Sequence, residues 1–243
     1  MAKESGLNVR LYVNGYDLSG DANALDGLGY TQELFDTTTL SQSTVSRIAG
    51  RTDGSCSVSA YFDAASAHIH AVMTANSGAI PTTNQNVLIP LGGSVGSDAT
   101  GFIAKEGDYA VSGAIGSPVT VSATYSVDGV EPAMATMVTA HDDAVTSSTS
   151  GTAVDDSASS SDGGSWFYQI LSFSAVGGNA RWHINLQHSS DNSTYTDVSS
   201  ATVTGIGAAR TEFTGTFNRY VKNRVVMDAS SGALTFAIGY IRG

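Results

Sequence analysis

Two stretches of strict alternation constrain this 243-residue chain more than any other feature. In Gly54-Ser-Cys-Ser-Val-Ser-Ala-Tyr-Phe62, the side chains of Cys56, Val58, Ala60 and Phe62 fall on one side of an extended backbone and those of Ser55, Ser57, Ser59 and Tyr61 on the other. Successive residues of a strand point to opposite faces, so one side wants a core and the other wants water. Residues 119–128 repeat the design: Val119, Val121, Ala123, Tyr125 and Val127 alternate with Thr120, Ser122, Thr124, Ser126 and Asp128. Strands of this kind belong to a sheet wetted on one face.

The rest of the chain reads as mainly β. Gly, Ser, Thr and Val are abundant and only 14% of residues are charged, which suits short strands joined by turns. Strands are expected near 9–14, 86–91, 100–104, 108–115, 118–127 and 130–139, and again near 166–173, 181–188, 194–198, 211–217, 219–227 and 234–241. One helix is expected over 63–76, with Asp63 as N-cap, Ala65, Ile69, Val72 and Met73 on one face, and Asn76-Ser77-Gly78 as its stop. Between Leu34 and Gly54 periodicity fades over a stretch long enough to demand a function. It holds Arg47 and Arg51, the only basic residues between positions 11 and 104. From His141 to Gly164 the composition is Ser, Thr, Gly, Ala and Asp, which reads as a flexible acidic linker. Three parts follow: residues 1–140, a linker over 141–164, and a second β-sandwich over 165–243.

Charge narrows the function classes. Residues 1–140 carry 13 acids and 5 bases, the linker 5 acids and no base, and residues 165–243 carry 4 acids and 6 bases, within a net charge of −11. Stable DNA binding requires Lys and Arg against phosphates, and the first part presents the opposite field. Met1-Ala-Lys-Glu-Ser-Gly has no apolar core of a signal peptide and no later run is long enough for a membrane helix, so folding in a cytoplasm is expected. Cys56 has no second cysteine to pair with and reads as a buried thiol.

Candidate chemistry is sparse, and no catalytic, metal or cofactor residues are expected. Gly92-Gly-Ser-Val-Gly96 fits the letters of a nucleophile elbow, but a loop rather than a helix follows it. His68 and His70 point apart on the expected helix, and His183 and His188 lie on opposite faces of a strand, so neither pair shares a metal. Asp155, Asp156 and Asp162, or Asp191 with Asp197, are carboxylates without EF-hand spacing and read as solvated acids. Asn192-Ser-Thr194 is a glycosylation sequon, but without a signal peptide it has no route to the glycosylation machinery. Trp166, Trp182, Tyr195 and Tyr220 allow a sugar-binding platform, but sandwich core is the more common role of such aromatics.

Two blocks carry a resemblance. Leu11-Tyr-Val-Asn-Gly-Tyr-Asp-Leu-Ser-Gly20, Phe35-Asp-Thr-Thr-Thr39, Gly50 and Asp53-Gly-Ser-Cys-Ser-Val-Ser-Ala-Tyr-Phe-Asp63 are similar to the tail tube (major tail) proteins of long-tailed bacteriophages. Gly163-Gly164, Gln187-His-Ser-Ser-Asp-Asn-Ser-Thr194, Thr216-Phe-Asn-Arg-Tyr220 and Phe236-Ala-Ile-Gly-Tyr240 resemble the β-rich decoration domain that many of them carry next. Residues 77–150 match only loosely. The resemblance implies a tube domain, a β-sandwich or open barrel with one packed helix and a long loop, followed by an outer β-sandwich. It implies a structural virion protein whose homohexameric rings, assembled in the host cytoplasm, stack into a conduit. The lumen would be lined by Ser55, Ser57, Ser59, Thr120, Ser122, Thr124, Ser126 and Asp128. Arg47 and Arg51 would reach the next ring, meeting acids such as Asp17, Asp21, Asp26 or Glu33. Implied partners are further copies of the chain, the tape measure protein and tail-end proteins, with phage DNA passing unbound and no membrane. The alternative is a surface-binding or decoration module with a lectin-like second domain.

Overall fold

The computed structural model describes residues 6–75, 78–130 and 133–243. The expected helix stop at Asn76 and Ser77 lies outside them. In chain order the strands are β1 (Tyr12–Val13), β2 (Tyr16–Asp17), β3 (Ala22–Asp36), β4 (Arg47–Tyr61), β5 (Gln85–Pro90), β6 (Asp98–Ser112), β7 (Thr120–Val127), β8 (Ala133–Met137), β9 (Asp143–Val145), β10 (Thr149–Ser150), β11 (Val154–Asp155), β12 (Gly164–Val176), β13 (Arg181–Ser189), β14 (Thr196–Val203), β15 (Gly207–Phe213), β16 (Tyr220–Asp228) and β17 (Ser231–Arg242). A short helix, α1 (Ile69–Met73), lies between β4 and β5. With 58% strand and 3% helix, the protein is mainly β, as its alternation demands.

The first lobe bends around β6. The early half of that strand pairs with β5 and β8, and its late half, Ala104 to Ser112, pairs with β7. β7 pairs in turn with β4, and β4 with β3. Cys56, Val58, Ala60, Val121, Ala123 and Tyr125 form one wall of the core, with Val13, Val87, Ile89 and Phe102 of the other strands and Ile69 and Met73 of α1. Each large apolar side chain taken from water in this way contributes about 1.5–3 kcal/mol. Phe62 and Val119, expected on the buried side, are 38% and 45% exposed because they lie past the last paired residues of β4 and β7.

The helix is shorter than expected. Asp63 accepts a hydrogen bond from the Ala65 N–H (2.8 Å), and Ala67 adopts φ 68°, so the chain turns before a helix begins. Residue 69 starts the helix instead, and its N–H donates to the carboxylate of Asp21, 48 residues earlier (2.9 Å).

The second lobe is a sandwich. β15, β12 and β17 form one layer, and β10, β11, β16, β13 and β14 the other. Trp166, Ile170, Phe236 and Ile238 meet Trp182, Ile184, Leu186, Val221 and Val225 between them. Residues 141–164, expected to be a flexible hinge, instead supply β9, which pairs with β17, and β10 and β11, which pair with β16. Asp156 within this segment accepts from Arg242 Nε (2.7 Å) and from the Tyr240 hydroxyl. Small, polar side chains do not preclude strands when partners elsewhere complete the ladder.

The lobes are joined through buried structure. β17 pairs with β8, and Tyr12, Leu88, Ala99, Ala135 and Met137 share a core with Phe167 and Ala237. Gln169, fully buried, accepts from the Gly15 N–H (2.7 Å) and donates to the Asn86 carbonyl (3.0 Å). A buried amide of the second lobe that satisfies two backbone groups of the first specifies how the lobes meet.

Candidate assembly surface

The sheet β3–β4–β7–β6 places the expected lumen residues on one face. Ser55 stands opposite Ser126, Ser57 opposite Thr124, and Ser59 opposite Ser122, with Thr120 one step on, opposite Tyr61. All of these hydroxyl side chains are exposed or half-buried, while their neighbours in sequence, Cys56, Val58, Ala60, Val121, Ala123 and Tyr125, are buried. Ser57 Oγ and Thr124 Oγ1 lie 3.3 Å apart across the strands.

The same face is more acidic than its serines suggest. Asp26 stands opposite Ser57, Asp53 precedes Ser55 by two residues on β4, and Asp108 stands opposite Thr124. Lys105, opposite Ser126, forms an ion pair with Asp128 (3.8 Å). Sequence reading picked out Asp128 for this face and passed over Asp26, Asp53 and Asp108. Carrying the alternation back from Ser55 would have found Asp53; bulges hide the other two. β3 takes extra residues between Asp26 and Gly29, and β6 is irregular at Gly107.

Both edges of this sheet are open among the described residues. β3 pairs only with β4, and β6 beyond Lys105 pairs only with β7. Unpaired N–H and C=O rows of this length are templates for another strand.

The stretch around Arg47 and Arg51, expected to be an unstructured loop, is largely ordered as the outer part of the β3–β4 hairpin. β7 accompanies β4 only from Ser55 to Tyr61, so the earlier half of β4 runs on with β3 alone, roughly 25 Å at the usual strand rise. Two strands without a third are marginal in water. Leu34, Phe35 and Ile48 on this arm are more than half exposed, as are Leu40 and Val45 at its tip. Arg47 stands opposite Asp36, and neither Arg47 nor Arg51 is ion-paired among the described residues.

The other candidates resolve into structural roles. Ser94 sits on an exposed turn with no helix after it, its N–H donating to Ser97 Oγ (3.2 Å). Trp166 and Trp182 are core residues, and Tyr195 and Tyr220 are half-buried. Asp155 pairs with Arg219, which with the Ser157 N–H holds its carboxyl down to about 2. Asp191 accepts from the Ser193 and Thr194 N–H groups, which keep it well below the usual carboxylate range. His68 does gather acids, with Nδ1 at 3.1 Å from Asp21 and 3.3 Å from Asp63. Ligand atoms of the three lie within 4.8 Å of one another. The Asp21 hydrogen bond raises the His68 pKa, and the cluster serves to cap α1. His70 Nδ1 lies 2.7 Å from the Tyr109 hydroxyl.

Glu106 was not anticipated. It stands opposite Tyr125, facing the core at 6% exposure, and neither carboxylate oxygen has a hydrogen-bond partner among the described residues. Burial, helped by Asp108, pushes its pKa up to about 8.

Neither a protein-family model nor a curated protein matches the chain. Among solved structures, a chain of the virion of a native gene transfer agent particle is 14% identical, with TM-score 0.42, over 54% of this chain and 98% of its own. A chain from the tail of an empty gene transfer agent particle, refined with C6 symmetry, is 15% identical, with TM-score 0.38, over 55% of this chain and 98% of its own. The SPP1 Dit (gp 19.1) protein, described as a paradigm of the hub adsorption apparatus in phages infecting Gram-positive hosts, is 10% identical, with TM-score 0.37, over 94% of this chain and 98% of its own. No helix among the described residues is long and apolar enough to cross a membrane.

Proposed function

We propose that the chain is a structural virion protein, the repeating subunit of a phage tail tube, whose hexameric rings stack into a conduit for DNA. The observation that carries this reading is the four-stranded sheet: two open edges, a hydroxyl-rich acidic face, and an arm that continues past it. Joining β3 of one copy to the late half of β6 of the next satisfies both edges and closes a barrel. Its inner face then repeats Ser55, Ser57, Ser59, Thr120, Ser122, Thr124, Ser126 and Asp128, with Asp26, Asp53 and Asp108. Such a wall offers phosphates hydroxyls and like charge, and Lys105, the cation beside Ser126, is paired with Asp128.

The apolar side chains of the arm gain cover in the assembly, and Arg47 and Arg51 gain acidic partners. The outer lobe decorates each copy, and the role is assembly and passive conduction rather than catalysis. Tape measure and tail-end proteins are the expected further partners. Negative-stain electron microscopy of purified protein tests this: six-fold rings or tubes are expected, and a preparation that stays monomeric at high concentration contradicts it.

A further inference from the structure

The two halves of β6 are held very differently. Up to Ala104 the strand pairs with β5, and over Asp98 to Gly101 with β8 as well, whereas from Lys105 to Ser112 its sole partner among the described residues is β7. In that late half Glu106 alone is buried, Tyr109 is half-buried, and the other six residues are exposed. Two side chains therefore tie the half-strand to the core. One is Tyr109, whose hydroxyl lies 2.7 Å from His70 Nδ1 of α1, and the other is a carboxylic acid. A bulge between Glu106 and Asp108 interrupts the ladder right beside that acid.

The surroundings of Glu106 suit only its neutral form. Tyr125 of β7 stands opposite, and its hydroxyl, like both carboxyl oxygens, is inaccessible and has no hydrogen-bond partner among the described residues. Cys56 of β4 stands opposite Tyr125 in turn, and Asp108 and Tyr109 are the ionisable neighbours on β6 itself. None of these brings a positive charge. His70 of α1 is engaged by Tyr109, and Lys105 is exposed and paired with Asp128 at 3.8 Å. A carboxylate buried without a donor costs far more than the protonated acid, so the group stays in place only while it keeps its proton. Burial, and then the charge of Asp108, push its pKa up to about 8, which puts the change within reach of mildly alkaline conditions.

We propose that Glu106 is a pH-operated latch on an edge strand: protonated, it holds the late half of β6 against β7 and the core, and on ionising it leaves for water and takes that half-strand with it. Once in water the carboxyl regains its ordinary acidity near 4.5, so opening becomes easier as pH rises from there to about 8. The early half stays where it is, held by β5 and β8. Local opening of this kind follows the weakest tertiary anchorage, here two side chains and one ladder. The released segment is the edge that joins β3 of the next copy, so alkaline pH should also undo assembly, a consequence that rests on the tube reading.

The test is amide hydrogen exchange on dilute full-length protein, with rates corrected for the intrinsic effect of pH. Protection of the amides of 108–112 is expected to fall about 50-fold between pH 5.5 and pH 7.5, while those of 99–103 stay protected even at pH 9. Glu106→Gln keeps the volume and cannot ionise, and Glu106→Met is apolar and of similar length; both should hold the late-half protection constant across the range. The latch is overturned if 108–112 show no pH dependence in the wild type, if both variants lose protection as the wild type does, or if 99–103 exchange as fast as 108–112 at pH 9. Electron microscopy reads the consequence separately: wild-type tubes should come apart at pH 9 and Glu106→Gln tubes should persist. Wild-type tubes as durable at pH 9 as at pH 6 would overturn the part of this edge in assembly, and a protein that forms no tubes at any pH would contradict the tube reading while leaving the exchange result to decide the latch.

Discussion

Replacing Glu106 by Gln should make the protein more stable at neutral and alkaline pH and leave it nearly unchanged at pH 5. The Glu106 carboxyl ordinarily titrates near 4.5 but is pushed up to about 8 in the fold, because burial opposite Tyr125, and then the charge of Asp108, disfavour a carboxylate that has no donor among the described residues. The folded protein therefore binds the Glu106 proton more tightly than the unfolded chain does. The associated stability is complete below about pH 4.5, declines between 4.5 and 8, and is gone above. Integrated between pH 5.5 and pH 8, the loss is about 3 kcal/mol, or roughly 6–12 °C in Tm for a chain of this size. Gln keeps the volume and cannot ionise. The nearby groups Asp108, Tyr109 and Tyr125 remain in both proteins and cancel in the comparison. Urea unfolding of both proteins at half-unit steps from pH 5 to 9 measures the difference. Parallel stability profiles across that range would refute the reasoning.

Further outcomes follow from the joined lobes and the arm. Gly15 has φ +87° and an added Cβ would lie 2.6 Å from Gly207 N and 2.7 Å from the Ile170 carbonyl, so Gly15→Ala should cost roughly 1–3 kcal/mol in urea unfolding; an unchanged midpoint would contradict the packing of the two lobes. A chain ending after Asp156 loses Phe167 and Ala237 from the shared core and should fail to give a protease-resistant domain; a stable fragment that still assembles would show the lobes to be independent. Reversing Arg47 and Arg51 to Glu should leave monomer melting unchanged and shorten tubes at low salt, since exposed pairs worth about 0.2–1 kcal/mol each matter only through repetition around a ring. Tubes of wild-type length would assign those arginines to plain surface.

Local pattern was legible where one copy of the chain supplies both the core and the water. Cys56, Val58 and Ala60 against Ser55, Ser57 and Ser59 is such a case, and so is Val121, Ala123 and Tyr125 against Ser122, Thr124 and Ser126. Strand β3 was not legible, because its bulges break the period of two and Leu34 and Phe35 stay more than half exposed in the monomer. The helix was overdrawn because Ala67 takes a left-handed turn that spacing alone does not reveal, and its capping group, Asp21, is remote in sequence. The 141–164 segment looked like a hinge because its strands are two or three residues long and their partners lie in β16 and β17. Glu106 was passed over for a related reason. Only tertiary packing shows that a charged residue in an alternating strand has been turned into the core.

The most direct measurement of the central claim is a cryo-electron microscopy map of whatever the purified protein assembles into, at a resolution that separates strands. The account predicts a closed barrel of repeated β3–β4–β7–β6 sheets, with β3 of each copy hydrogen-bonded to the late half of β6 in the next, and with Ser57, Ser122 and Thr124 facing an open channel. A particle whose copies meet through the outer lobes, or in which this hydroxyl face is buried against a neighbouring copy, would contradict it.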